Sequence, residues 1–236
     1  MNLNNKKDVV FLVLAGFFIT NAIVAEMIGG KVVMFFGTFV QSVGIVLWPV
    51  VFVLTDIVNE FYGQKGVRKL SYITLGLIAF TFTCLFICIH IPAIAKSPVS
   101  DENFRKVFGQ SMYIMIGSMI AFIVSQFVDS GVFWMLRNRT GKKMIWLRST
   151  GSTVVSQLVD TFIVQFIAFV IPRYWTMDEF LHNASYGYVF KLLTAFLVIP
   201  VIYLVHKLID KYLGEEVSHD MIKDTAEKNL HHKVGD

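Results

Sequence analysis

Two short stretches of this chain repeat one another and place ionisable groups inside apolar surroundings. Ser125-Gln126-Phe127-Val128-Asp129-Ser130 recurs as Ser156-Gln157-Leu158-Val159-Asp160-Thr161. Gln and Asp three residues apart share a helical face, so each copy projects an amide and a carboxylate in one direction. An amide both donates and accepts, and an ionised carboxylate accepts from two donors at once. Two such faces could meet across one cavity and form a polar site there. Two carboxylates there with no cation or donor between them would share a proton.

A second cluster runs through Thr55-Asp56-Ile57-Val58-Asn59-Glu60-Phe61-Tyr62-Gly63-Gln64-Lys65-Gly66-Val67-Arg68. Asp56 and Glu60 are four apart and stack on one face. They either cap a helix end and pair with Lys65 and Arg68, or contribute to a ligand site, and Asp56 sits deeper. Asn21 and Glu26 lie in an earlier apolar stretch. Arg148 either snorkels to an interface or pairs with Asp129. Lys191 reads first as a snorkelling cation and second as a counter-charge.

The elements that carry these residues are set by composition. The 236 residues are 55% hydrophobic and 16% charged, with a mean hydropathy of +0.62, well outside the soluble norm. Apolar runs of roughly 20 residues fit membrane helices rather than the ~10-residue alternating strands of a barrel. The reading is an all-α polytopic membrane protein with six transmembrane helices, over 9–28, 43–60, 69–91, 110–136, 147–171 and 185–208. Lys6 and Lys7 precede the first segment, but Asn21, Glu26 and the lack of a small-residue cleavage motif argue for a helix rather than a signal peptide.

Basic residues fall in alternate loops: Lys6 and Lys7; Lys65, Arg68 and Lys69; Arg137, Arg139, Lys142, Lys143 and Arg148; Lys207 and Lys211. The positive-inside rule then places both termini in the cytoplasm. The net charge of +4 is explained by those loops, and no nucleic-acid partner is expected. Residues 1–214 make a six-helix transmembrane domain, and 215–236 a polar cytoplasmic tail without a core of its own. Lipid is the surrounding partner. Cys84 and Cys88 share one apolar stretch and serve packing. Gly117, Gly151 and the serines near them suit close helix contacts.

Enzyme signatures such as H-E-x-x-H, G-x-S-x-G and the phosphate-cradling G-x-x-x-x-G-K-[ST] do not occur. The six histidines are scattered, and neither metal nor cofactor is expected. An intramembrane aspartyl hydrolase using Asp129 and Asp160 is the enzymatic alternative.

The chain resembles the queuosine precursor transporter family, also described as the vitamin uptake transporter family. The resemblance is carried by Thr55-Asp56, Asn59-Glu60, Tyr62-Gly63, Lys65 and Arg68, and by Arg148, Ser152-Thr153 and Ser156-Gln157 through Asp160-Thr161, with Asn21 and Lys31 in the first segment. It spans roughly residues 10–210 and departs in Ser149, where the family pattern has Asn. It implies six helices in the inner membrane and import of 7-deazapurine bases, preQ0 and preQ1 or in some members queuine. Taken with the repeated motif, it puts the expected site between helices 1, 2, 4 and 5, formed by Asp160, Gln157, Asp129, Gln126 and Asp56, with Asn21, Glu60, Arg148 and Thr161 in second rank. A membrane subunit that binds substrate for a separate ATPase partner is the alternative, and a homodimer stays open.

Overall fold

The computed structural model describes residues 5–35, 37, 39–140 and 145–234, with side chains for all of these but 133, 134, 137–140, 145–150, 196 and 226–234. It is almost entirely helical: α1 (Lys6–Ile28), a hairpin of β1 (Val32–Phe35) and β2 (Phe39–Ser42), a 3-10 segment (Val43–Leu47), α2 (Trp48–His90), α3 (Asp101–Thr140), α4 (Ile145–Gln165) ending in a π turn (Phe166–Val170), α5 (Met177–Leu197), α6 (Ile199–Leu213) and α7 (Glu215–Val234). The hairpin is antiparallel, with Val33 opposite Gln41 and Phe35 opposite Phe39. It interrupts an otherwise all-α chain in the stretch between the first two predicted segments.

Among the described residues four helices are long and apolar enough to cross a membrane: Lys6–Ile28, Val43–His90, Asp101–Val132 and Gly151–Val170. A fifth follows if Met177–Ala195 and Ile199–Leu213, bent by 45° at their break, form one span. Only 11–33% of the residues in the apolar windows of the four unbroken spans are buried inside the protein. Phe17, Phe80 and Phe127 stand 65–75% exposed on them. Side chains that large, left uncovered by protein, are surface for lipid tails. The protein is therefore a multi-pass membrane protein.

The second and third predicted segments lie within α2. At ~1.5 Å per residue its 43 residues reach about 65 Å, twice a ~30 Å hydrocarbon core. Its regularity fails at Gly63, with φ 71° and ψ 179°, a backbone state that glycine alone enters freely. The last predicted segment divides into α5 and α6. Pro200 at the first turn of α6 has no N–H to donate, and its ring excludes a straight continuation of α5. Thr176 and Glu179 form a reciprocal capping box at the start of α5, Thr176 N–H to Glu179 Oε2 at 2.8 Å and Glu179 N–H to Thr176 Oγ1 at 3.3 Å.

The chain forms two compact units. The first comprises 1–25, 46–77 and 191–236, and its core gathers Val10, Leu14, Ile57, Val58, Phe61, Leu70, Val198, Ile209 and Leu213. The polar segment beyond Gly214 is helical and lends Met221 and Ile222 to that core. The second unit comprises 26–45 and 78–190. There Gly117 lets α3 and α4 touch: a Cβ at 117 would meet the Val164 carbonyl oxygen at 3.1 Å and the Val164 Cα at 3.4 Å. Backbone in the way cannot give as a flexible side chain can. Gly117→Leu is expected to lower the thermal midpoint of the purified protein, with an overpacking penalty of about 1–3 kcal/mol. Unchanged melting would show that the two helices can separate there freely.

Candidate functional site

Polar side chains in these helices are satisfied locally wherever the sequence allows. Hydroxyls bond back to the carbonyl one turn earlier, as Thr55 does to Val51, Thr74 to Leu70 and Thr161 to Gln157 at 2.8–2.9 Å. An amide at the same depth has two ends and cannot be satisfied that way. The glutamines therefore show where the apolar packing is interrupted.

On α4, Gln157, Thr161 and Gln165 recur every four residues and share one face. Thr161 is buried and Gln165 nearly so. Gln165 Nε2 donates to Gln41 Oε1 at 3.4 Å, and Gln41, 2% exposed, donates in turn to the Asn183 carbonyl on α5. The residue that admits them is Gly187: a Cβ there would lie 2.8 Å from Gln165 Nε2 and 3.0 Å from Gln41 Nε2. On α3, Gln110 Nε2 donates to the Ala168 carbonyl at 2.7 Å. Ala168 lies in the π turn, where Ile171 N–H bonds back to the Phe166 carbonyl and the carbonyl register of the helix is shifted. Such turns are common at functional positions.

These bonds leave acceptors over. The Oε1 atoms of Gln110, Gln157 and Gln165 are buried with no hydrogen-bond partner among the described residues. A buried amide oxygen without a donor costs about 1–3 kcal/mol. Three in one unit call for donors from water or from a ligand. Aromatic rings lie nearby in sequence and packing: Phe39 stacks on Tyr186 at 6.3 Å and contacts Phe190 at 5.9 Å.

The predicted residues are divided between the two units. In the second unit, Asp129 on α3 and Ser156 on α4 meet, Ser156 Oγ donating to Asp129 Oδ1 at 3.4 Å, so the repeated motifs face each other at that point. Asp129, Gln157 and Asp160 are half-buried, and Gln126 is exposed. In the first unit, Asn21 Nδ2 donates to the Leu47 carbonyl at 3.1 Å and fixes the start of α2 against α1. Asp56 and Glu60 are exposed, and Glu60 Oε1 lies 3.3 Å from His206 Nε2. Arg148 belongs to α4, and its side chain lies outside the described ones. Lys191 is buried rather than snorkelling, with Nζ 3.8 Å from the centroid of the Trp48 ring, so that ring is already occupied by a cation.

The glutamines at 41, 110 and 165 were not among the expected site residues. Gln165 was findable, because it extends the Gln157–Thr161 spacing by one more turn. Gln41 and Gln110 lie in apolar stretches of other elements, and nothing in their local spacing links them to α4.

The family described as "Putative vitamin uptake transporter" matches residues 42–205, which contain both helix motifs, Gln110 and Gln165. The chain belongs to this vitamin uptake transporter family. Within the family it is similar to the "Probable queuosine precursor transporter" of Bacillus subtilis, 33% identical over 181 residues, 76% of this chain and 77% of that one. It is also similar to the protein of the same description from Haemophilus influenzae, 26% identical over 163 residues, 66% of this chain and 63% of that one. No solved structure matches it significantly.

Proposed function

We propose that this family member imports queuosine precursors, 7-deazapurine bases such as preQ0, preQ1 or queuine, across the cell inner membrane. The observation that carries this is the buried face of α4, where Gln157 and Gln165 keep amide oxygens without donors in a family of transporters. A deazapurine presents ring and exocyclic N–H groups in one plane, which is what those oxygens lack. Asp160 is the acceptor for the guanine-like N–H pair, because one carboxylate takes two parallel donors. Gln157 donates to the ring carbonyl or accepts from the base through its free oxygen. Asp129 neutralises the aminomethyl cation of preQ1, and Gln126 and Thr161 complete the polar wall.

Asp56, Asn21, Glu60 and Arg148 need not touch the base in this reading. The base crosses by alternating exposure of the site, as in many secondary transporters, and the reaction leaves it chemically unchanged. With six crossings, both termini face the cytoplasm. Uptake of preQ1 by the purified chain alone in proteoliposomes tests the proposal. Accumulation without any added subunit supports a self-sufficient transporter. Binding without uptake would instead assign the chain as the substrate subunit of an ATPase-driven system.

A further inference from the structure

The first unit holds a chain of titratable groups that base recognition does not use. Glu60 Oε1 of α2 lies 3.3 Å from His206 Nε2 of α6. His206 Nδ1 lies 2.8 Å from Asp210 Oδ2, one turn further along α6. Ser218 Oγ of α7 donates to the other oxygen of Asp210. The side chains of His206, Glu60 and Asp210 are 26%, 39% and 28% exposed, so that the imidazole and Asp210 are half-buried, Glu60 is exposed, and all three are within reach of water. The Phe61 ring, 5.2 Å away, covers the imidazole on one side.

Counting protons decides what this arrangement is. A neutral imidazole has one N–H and one lone pair, so between two ionised carboxylates it can make only one hydrogen bond. The other nitrogen would turn a lone pair toward a negative oxygen. Both contacts are attractive only when the array holds one further proton, on the imidazole or on a carboxylate. The remaining charges nearby do not remove that requirement. Asp56, one turn before Glu60 on α2, adds negative charge; α7 contributes the neutral Ser218. From α1, Lys6 Nζ is spent on the Tyr212 carbonyl at 3.2 Å and on the Tyr212 ring.

We propose that Glu60, His206 and Asp210 form a proton-binding site whose occupancy couples proton movement to the transport cycle. The coupling rests on the transport reading above; proton binding itself does not. When the proton leaves, the Glu60 contact is the one lost, because it is the longer and joins two helices. Asp210 is held by Ser218 and shares α6 with His206. Loss of the proton therefore frees α2 from α6 three residues before the break at Gly63, where α2 can bend. Histidine is the side chain suited to such exchange near neutral pH.

The test uses the full chain in proteoliposomes with preQ1 as probe, an imposed pH gradient, and a pH-sensitive dye trapped inside. Wild type is expected to accumulate preQ1 under the gradient with substrate-dependent proton entry. His206→Gln should retain gradient-independent counterflow but accumulate no more than the gradient-free control. Gradient-driven accumulation in His206→Gln equal to wild type would overturn the proposal. A separate reading needs no transport: with histidines carbon-13 labelled at Cε1 and the His206 resonance assigned by its loss in His206→Gln, Glu60→Gln should change the pH dependence of that resonance, since the carboxylate facing Nε2 is gone. A titration unmoved by Glu60→Gln removes the proton site even if preQ1 is transported. If wild type takes up none of the bases, the transport reading falls, and the titration still decides the site.

Discussion

Asp160→Ala is expected to abolish uptake of 7-deazapurine bases while leaving the protein inserted and folded. Asp160 is half-buried on α4, three residues after Gln157, inside a helix that is apolar enough to span. Removing a charged acceptor from a hydrogen-bonded ligand loses about 1.5–3 kcal/mol, roughly 10- to 150-fold in Kd. The geometric demand makes the transport loss larger, because a misplaced base would not complete the cycle. Asp160→Asn separates charge from shape: its amide can accept once but turns N–H groups toward the donors of the base, so it should bind nearly as poorly as Ala. Membrane-localised Asp160→Ala with wild-type uptake would remove Asp160 from the site.

Gln157→Leu should produce two effects of opposite sign. Its Oε1 is buried without a donor, so replacing the amide by an apolar group of similar size removes a penalty of about 1–3 kcal/mol. The thermal midpoint of the ligand-free protein is expected to rise. Affinity for the base should fall roughly tenfold for the lost hydrogen bond. A purely structural glutamine predicts the reverse pattern, with lower stability and unaltered affinity. Melting curves with and without preQ1 on the same preparation distinguish the two.

Most of the membrane architecture was legible because hydrophobic length is a strong signal. The apolar runs at 9–28 and 147–171 correspond to α1 and to α4 with its π turn. What could not be read were the breaks within long apolar stretches. Gly63 and Pro200 are each visible as residue types, but whether a glycine bends a helix depends on what packs beside it. The hairpin over Val32–Ser42 was hidden for a related reason: its mixture of Val, Phe and Gly suits a strand or an apolar loop equally, and Gln41 acquires a role only through Gln165 and Asn183.

At the candidate site the helix-internal pattern was readable and the contacts between helices were not. The repeated Ser-Gln-x-x-Asp motifs mark one face each of α3 and α4, and a contact that their spacing did not specify, Ser156 to Asp129, joins them. Glu60 looked like a helix-end or ligand carboxylate from its spacing to Asp56. Its partner His206 is 146 positions away, a separation at which no periodicity survives. Lys191 was similarly misjudged as a snorkelling residue, because the ring of Trp48 that shelters it comes from a different helix.

The most direct test of the central claim is binding of preQ0, preQ1, queuine and guanine to the detergent-purified wild-type protein and to Asp160→Asn, followed by titration calorimetry. Saturable binding of at least one deazapurine to wild type, with guanine weaker and Asp160→Asn showing little or none, is the predicted result. A folded wild-type protein that binds none of the four, or an Asp160→Asn variant that binds as tightly as wild type, would contradict the account.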